Sequence, residues 1–194
     1  MDLLAYHVVL INTSAGKDSL AMLDHVYSLA LAQEATGRLQ AVHCDLGRME
    51  WAGTRELAEK QCLRYGVPLH VISRSQDLLS HVEQRGMWPS STTRYCTSDH
   101  KRDQVSKVIT RLVNDHIATY GTHVRVLNCM GLRAQESSAR AKKAPFERNA
   151  RLSNRKRTVD NWLPIHDWTE AQVWDLIRSK LSWFSVKWSA GVPC

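Results

Sequence analysis

The sequence lacks the features that mark membrane-spanning and disulfide-rich secreted proteins. Its longest apolar runs, such as residues 6–11, are far shorter than the roughly 18 residues that a membrane span requires. Asp2 and His7 interrupt the start of the chain, so we predict neither a signal peptide nor a membrane partner. Only five cysteines occur, at the widely spaced positions 44, 62, 96, 129 and 194. This odd number predicts a reducing, cytoplasmic location rather than a disulfide framework.

What is present is typical of one globular domain. Apolar residues make up 43% of the 194 residues and charged residues 23%, which excludes a disordered or collagen-like chain. We predict a single domain over residues 1–180, followed by a short tail at 181–194.

Positive charge is concentrated in one segment. The whole chain carries a net charge of +7, and residues 133–157 contain nine basic residues and only two acidic ones. A local excess of this kind favours a polyanion, either nucleotide phosphates or a nucleic-acid backbone. The segment lacks apolar periodicity, so we predict a long basic loop. A solvated, mobile loop without a partner stays open as the alternative.

Strand and helix patterns alternate along the chain. Apolar runs predict strands at 6–13, 39–44, 68–73 and 124–130, and helical periodicity predicts helices at 18–33, 51–65, 99–116 and 169–180. Repeated units of this kind predict a doubly wound, mostly parallel α/β sheet with helices on both faces, similar to a Rossmann fold. Ligands of such sheets bind beyond the carboxyl ends of the strands.

The loop after the first predicted strand has the composition of an anion-binding loop. It consists of Ser14, Ala15, Gly16, Lys17, Asp18 and Ser19. A glycine allows close backbone approach to an anion, the helix start offers free N–H groups, and Lys17 adds a positive charge. The Walker A pattern fails, because position 11 is not glycine and Asp18 replaces Ser or Thr. Since a carboxylate disfavours an anion, Asp18 predicts a bridging Mg²⁺. A plain turn with a helix cap is the alternative.

Five blocks together resemble one known family. The Ser-Ala-Gly-Lys-Asp-Ser loop resembles that of the PP-loop ATP pyrophosphatases, in particular their phosphoadenosine-phosphosulfate (PAPS) reductase-like branch. Four further blocks agree in order and spacing: His-Cys-Asp-Leu-Gly at 43–47, Arg-Tyr-Cys-Thr-Ser-Asp-His-Lys at 94–101, Gly-Leu-Arg-Ala-Gln-Glu-Ser-Ser-Ala-Arg at 131–140, and Leu-Pro-Ile-His-Asp-Trp-Thr-Glu at 163–170.

The resemblance implies an adenine nucleotide α-hydrolase-like fold and attack at the α-phosphorus of ATP, which yields AMP and pyrophosphate. It implies that the 14–19 loop holds the pyrophosphate, that Asp18 helps to hold Mg²⁺, and that a nucleotide binds near the ends of the second and fourth strands. The residues so implicated beyond the loop are Asp45 and Gly131 for binding, and Lys101, Arg133 and Arg140 for offsetting phosphate charge. Glu136 is expected either to orient one of these arginines or to be an ordinary surface carboxylate.

Two departures from the branch affect the expected reaction. The chain ends Ala-Gly-Val-Pro-Cys, without the Glu-Cys-Gly-Leu-His motif of the sulfonucleotide reductases, and it has no Cys-x-x-Cys pair. We therefore expect no iron–sulfur cluster. Cys96 lies between Arg94 and Lys101, where cations favour a thiolate, and either a sulfur-handling or a structural role is open for it.

Three functions follow as expectations. The first is an ATP pyrophosphatase that activates a substrate for sulfur transfer, as in DNA phosphorothioate modification. The resemblance implies ATP and Mg²⁺ as cofactors, a cysteine desulfurase-type sulfur donor, and DNA bound by residues 133–157. The first alternative is reduction of PAPS or adenosine phosphosulfate. The second is a catalytically inactive relative that binds nucleic acid.

Overall fold

One six-stranded sheet forms the centre of the protein in the computed structural model, which describes residues 1–90 and 93–180. The strands are β1 (Val8–Thr13), β2 (Leu39–Asp45), β3 (Leu69–Ser73), β4 (Val124–Met130), β5 (Phe146–Arg148) and β6 (Arg157–Trp162). Their order is β3-β2-β1-β4-β6-β5. All neighbouring pairs are parallel except β5 and β6, which are antiparallel. The predicted mostly parallel α/β sheet is therefore confirmed.

Helices lie between the strands along the chain, and α7 follows the last strand. They are α1 (Lys17–Ala32), α2 (Thr54–Arg64), α3 (Leu78–Arg85), α4 (Tyr95–Thr97), α5 (Asp103–Tyr120), α6 (Ser138–Ala141) and α7 (Glu170–Lys180). A π-helical turn at Ser98–Arg102 links α4 to α5, so the helix predicted at 99–116 begins later than expected. In the part of the chain that the structure describes, no helix is long and apolar enough to cross a membrane.

Hydrophobic cores cover both faces of the sheet. Val9 and Ile11 of β1 face a core built with α1, α2 and α7. Val8 and Leu10 face the opposite core, built mainly with α5. A strand buried on both faces reads as a continuous apolar run, which explains why β1 was predictable from sequence. This packing fixes the carboxyl end of β1, where the anion-binding loop begins.

The prediction of a long loop over residues 133–157 is wrong. The segment contains a 3₁₀ turn at 134–136, helix α6 and strand β5, and its last residue, Arg157, begins β6. The pattern was missed because β6 contains Arg157 and Asp160, charged residues that are both buried. The predicted tail at 181–194, including Cys194, lies outside the described residues.

Candidate active site

The anion-binding loop connects β1 to α1 through a left-handed turn. Ala15 has φ 60°, a conformation that costs a non-glycine residue energy. Its N–H donates to Thr13 Oγ1 at 3.2 Å, and its carbonyl accepts from Gln61 Nε2 of α2 at 3.0 Å. The turn places the start of α1 at the carboxyl edge of the sheet.

The first turn of α1 has no side-chain cap. Gly16 occupies the N-cap position without a capping hydrogen bond, so the free N–H groups of the helix start can receive an anion. Ser19 braces the loop from inside: its buried hydroxyl donates to Gly16 O at 2.9 Å and accepts from Ser14 N–H at 3.3 Å. Ser14 is exposed as a residue, and its hydroxyl donates to Ser19 Oγ at 3.4 Å.

A charged network joins this loop to the end of β4. Arg133 is only 3% exposed, and its Nε donates to Asp18 Oδ1 at 2.6 Å. Lys17 Nζ lies 3.3 Å from Asp18 Oδ2. A Cβ at Gly131 would lie 3.2 Å from the Asp18 carbonyl oxygen, so glycine permits this close approach. The structure thus brings together Lys17, Asp18, Gly131 and Arg133, and their roles in binding and catalysis stay predictions.

Glu136 contacts both predicted arginines. Its Oε2 accepts from the Arg133 backbone N–H at 2.7 Å, and its Oε1 forms an ion pair with Arg140. Glu136 therefore fixes the loop that carries both arginines and is not an ordinary surface carboxylate.

Two residues that the sequence analysis missed attach α7 to this network. Gln135 Oε1 accepts from Arg133 Nη1 at 3.1 Å and from the Glu170 backbone N–H at 2.8 Å. Glu170 Oε1 lies 3.5 Å from Lys17 Nζ. Glu170 is the last residue of the Pro-Ile-His-Asp-Trp-Thr-Glu block. Its place in that block was the one feature of the sequence that could have indicated a role in the site. Lys17 therefore lies between two carboxylates, those of Asp18 and Glu170.

The neighbouring strand end carries a second polar pair. His43 is buried, with Nδ1 3.1 Å from Thr13 O and Nε2 3.1 Å from Glu50 Oε2. Burial by itself lowers the pKa of His43, but the hydrogen bonds to Glu50 and Thr13 outweigh it, so the pKa is raised overall. Asp45 Oδ1 accepts from Gly47 N–H at 2.8 Å, which shapes the turn after β2 on the same edge as the anion loop.

Lys101 and Cys96 lie apart from the charged network. Lys101 is exposed in the π-helical turn, and its carbonyl lies 3.7 Å from Cys44 Sγ. Cys96 is half-buried beside Leu78 and Tyr95. Among the described residues, neither side chain forms a hydrogen bond or ion pair with residues 14–19, so their predicted roles stay predictions.

The other described cysteines are poor nucleophiles. Burial raises the pKa of Cys44 and of Cys62 to about 11, and it raises the pKa of Cys129 as well. Cys62 and Cys129 are buried, whereas Cys44 is half-buried against the α5 core. A raised pKa keeps the thiol protonated near neutral pH.

The residues that the structure describes do not form a magnesium site from side chains alone. Both carboxylate oxygens of Asp18 contact cations, and within residues 1–90 and 93–180 no three His, Cys, Asp or Glu side chains group as metal ligands. Magnesium in nucleotide sites is held largely by the phosphates themselves. The role of Asp18 as a metal ligand stays a prediction, and we assign no chemical step to a metal.

The basic segment is divided between opposite edges of the sheet. Phe146 pairs with Trp162 at the end of β6, and Leu163 N–H donates to Pro145 O at 2.8 Å, so Lys142 and Lys143 lie near the carboxyl edge. Lys156 O instead accepts from Val124 N–H at the amino edge. The positive charges of residues 133–157 therefore form no single patch.

Fold and loop together define an α/β nucleotide-binding domain with its anion site at the carboxyl edge of a parallel sheet. A sequence model of the phosphoadenosine phosphosulfate reductase domain matches residues 8–181, and the chain belongs to that family. A comparison with curated protein sequences finds no match.

Solved structures share the fold at low sequence identity. The phosphoadenylyl-sulfate (PAPS) reductase from Candida auris, solved as a phosphate complex, is 19% identical with a TM-score of 0.54, and the match covers 91% of this chain and 74% of that one. The U34-tRNA thiolase NcsA from Methanococcus maripaludis, solved with its 4Fe–4S cluster, is 17% identical with a TM-score of 0.55. That match covers 100% of this chain and 63% of the thiolase.

Proposed function

We propose that this protein is an ATP pyrophosphatase that activates an acceptor for sulfur transfer. The observation that carries the proposal is the position of Arg133. It is buried, it is held by Asp18 and by the backbone contact to Glu136, and it lies beside the uncapped start of α1. Helix N–H groups and a fixed guanidinium next to each other suit a polyphosphate.

Each charged group has a distinct part in this proposal. The N–H groups of α1 and Lys17 receive the pyrophosphate, while Arg133 stabilises the charge that develops on the phosphate oxygens. Lys17 is 27% exposed, so its ammonium can leave Asp18 and Glu170 to meet a phosphate. Arg140 is also accessible, and Asp45 and Lys101 lie on the same edge to contact the nucleotide.

The reaction balances without a further oxidant. An acceptor oxygen attacks the α-phosphorus of ATP, the bond to the bridging oxygen breaks, and pyrophosphate leaves. The terminal sulfur of a cysteine persulfide, delivered by a cysteine desulfurase-type donor, then displaces AMP from the acceptor. A second thiol, acting as the reductant, cleaves the resulting acceptor–S–S–Cys bond and leaves the thiolated acceptor and a disulfide. ATP is used as its magnesium complex.

A DNA backbone is the acceptor that we propose. Lys142 and Lys143 lie near the carboxyl edge, and Arg94 and Lys101 belong to the segment between β3 and α5. None of the four forms an ion pair or side-chain hydrogen bond within the described part of the chain. Unpaired cations near a site favour a polyanionic partner, since phosphate contacts supply most of non-specific DNA affinity.

Reduction of PAPS is the second candidate, and the family match favours it. Such a reduction needs a thiol nucleophile. Among the four described cysteines, Cys44, Cys62 and Cys129 have raised pKa values, which leaves Cys96 for that role.

Product analysis separates the two candidates. The purified protein is incubated with ATP and Mg²⁺, and AMP plus pyrophosphate are separated from ADP plus phosphate; a parallel reaction contains PAPS and a thiol reductant and is assayed for sulfite. We expect AMP and pyrophosphate. Sulfite release without ATP turnover would establish the reductase instead.

The loop assignment has its own control. Lys17→Ala is expected to abolish pyrophosphate release without lowering the melting temperature, because Lys17 contacts only other surface-accessible groups. Lys156→Ala, an exposed lysine at the opposite edge, is the matched control and keeps full turnover. Unchanged turnover in Lys17→Ala contradicts the assignment.

A further inference from the structure

Gln61 is a buried amide that contacts the anion loop from outside it. It belongs to α2 and is 0% exposed, between Ala58 and Cys62 on the face of α2 that packs against the sheet. Its Nε2 donates to the Ala15 carbonyl at 3.0 Å. The orientation of this amide is fixed, because a carbonyl oxygen only accepts and so must meet the NH₂ group.

The other end of the same amide has no hydrogen-bond partner within the described part of the chain. Gln61 Oε1 is buried without a hydrogen bond among the described residues. A buried unpaired acceptor destabilises a fold, and an apolar side chain of the same shape would avoid that cost at this position. The contribution of Gln61 therefore lies in its one contact, to the loop.

That contact reaches the strained residue of the loop. Ala15 has φ 60° and is fully buried. Alanine disfavours this left-handed conformation because its Cβ approaches the carbonyl oxygen, whereas glycine adopts it freely. The hydrogen bonds at both ends of Ala15, to Thr13 Oγ1 and from Gln61, hold the residue in this conformation.

We propose that Gln61 is a positioning residue that holds Ala15 left-handed and so keeps the start of α1 aimed at the bound pyrophosphate group. The ligand in this statement rests on the proposed function. The effect of Gln61 on the conformation of Ala15 rests on the loop contacts alone. The conformational effect and the binding of pyrophosphate can therefore be tested separately.

The first test needs no ligand. Gln61→Met keeps the shape of the side chain and removes the amide. Hydrogen exchange of the backbone amides of Ser14 and Ala15 is followed by mass spectrometry or NMR on the full chain. We expect exchange about tenfold faster, the factor that corresponds to about 1.4 kcal/mol and lies within the cost of a left-handed alanine.

Gln104→Met is the matched control. Gln104 is also buried, and its Nε2 donates to the Asp99 carbonyl at 2.8 Å, far from the loop along the chain. It is expected to change thermal stability without changing exchange at Ser14 and Ala15. Equal exchange in the two variants overturns the proposal.

A second substitution distinguishes positioning from packing. Ala15→Gly removes the conformational penalty, so Gln61→Met with Ala15→Gly should recover most of the lost protection and most of the affinity for inorganic pyrophosphate. Gln61→Met alone is expected to bind pyrophosphate about tenfold more weakly than the unmodified protein. A purely structural role predicts the opposite, because Ala15→Gly removes a buried methyl group and adds to any packing loss.

The experiments test the conformational role of Gln61 and the binding of pyrophosphate separately. Failure of Ala15→Gly to rescue overturns the role of Gln61. Absence of pyrophosphate binding by the unmodified protein counts against the proposed function, while the exchange experiment still decides the conformational role. If Gln61→Met does not fold, Gln61→Asn, which shortens the side chain by one methylene, is judged by the same criteria.

Discussion

The two halves of the basic segment, residues 133–157, are similar in composition but differ in the contacts that their arginines make. In the first half, Arg133 pairs with Asp18 of the anion loop, and Arg140 pairs with Glu136. In the second half, Arg148 pairs with buried Asp160 at 2.5 Å, and Arg157 is itself buried. A run of positive charge in sequence therefore does not define a binding patch, because the direction of β6 decides which edge each residue reaches.

The second half is mainly structural. Arg157 Nε donates to Leu152 O at 2.6 Å, and Nη1 donates to Thr110 Oγ1 of α5 at 2.8 Å. Arg151 pairs with Asp103 at the start of α5. These contacts fasten the residues before β6 to α5, whereas the contacts of the first half build a site.

The largest effect should come from removing the charge at the site. Arg133→Met leaves Asp18 without its closest cation and removes a fixed guanidinium from the phosphate site, so we expect pyrophosphate release to fall by about 10²-fold or more. The measurement is steady-state turnover of ATP, with melting temperature recorded in parallel. Retention of more than half the activity would contradict the site assignment.

The corresponding substitution in the second half, Arg157→Met, should lower the stability of the fold rather than the turnover. Arg157→Met leaves the Leu152 carbonyl without its donor, and we expect the free energy of unfolding to fall by about 1–3 kcal/mol. Urea unfolding measures the loss, and turnover per folded molecule should be unchanged. A comparable loss of turnover would show that the two halves are not separate.

Polyanion binding sharpens the same comparison with a smaller effect. Lys142→Ala with Lys143→Ala should weaken binding of a DNA duplex several-fold and reduce the slope of log affinity against log salt by about 2. The matched pair Arg155→Ala with Lys156→Ala, at the opposite edge, should leave both quantities unchanged. Equal losses in the two pairs would place the DNA elsewhere than proposed.

The smallest effect belongs to a third region, outside both halves. His81 Nδ1 lies 3.0 Å from His100 Nε2, and both rings are buried. Burial is the main cause that lowers the pKa of both histidines, and the positive charge of Arg74 is the second. The folded state therefore resists protonation, so this contribution to stability is present above the ordinary histidine pKa of about 6.5 and is lost as the pH falls below it.

Urea unfolding between pH 7.5 and 5.5 checks this pH dependence. The unmodified protein should lose stability towards low pH more steeply than His81→Asn with His100→Asn, while Arg157→Met should retain the steep dependence. Parallel pH profiles for the double histidine variant and the unmodified protein would contradict the assignment.

Much of the fold was predictable from local pattern. Strand β4 was predicted with its observed bounds, Val124–Met130, because a strand buried on both faces leaves a continuous apolar signal. Strand β6 was not, since Asp160 resembles a surface residue until Arg148 and Tyr6 are known to contact it. Burial of a charge depends on partners that are distant in sequence.

In the site, too, local patterns were predictable and contacts between distant residues were not. The loop from Ser14 to Ser19 was identifiable because its residues are consecutive. Gln61, Gln135 and Glu170 were not, because each joins the site through a contact to a residue that is distant in sequence. A glutamine side chain that hydrogen-bonds a backbone group cannot be recognised from the sequence alone.

The central position of β1 has a consequence for synthesis on the ribosome. Its two edges pair with β2 and with β4, and Asp18 meets Arg133 across 115 residues of chain. During translation the first strand emerges early, yet one of its edges stays unpaired until about two thirds of the chain has been made. Such exposed apolar edges are where nascent chains aggregate or recruit chaperones. The contact of Asp18 with Arg133 can therefore form only after β4 has been made.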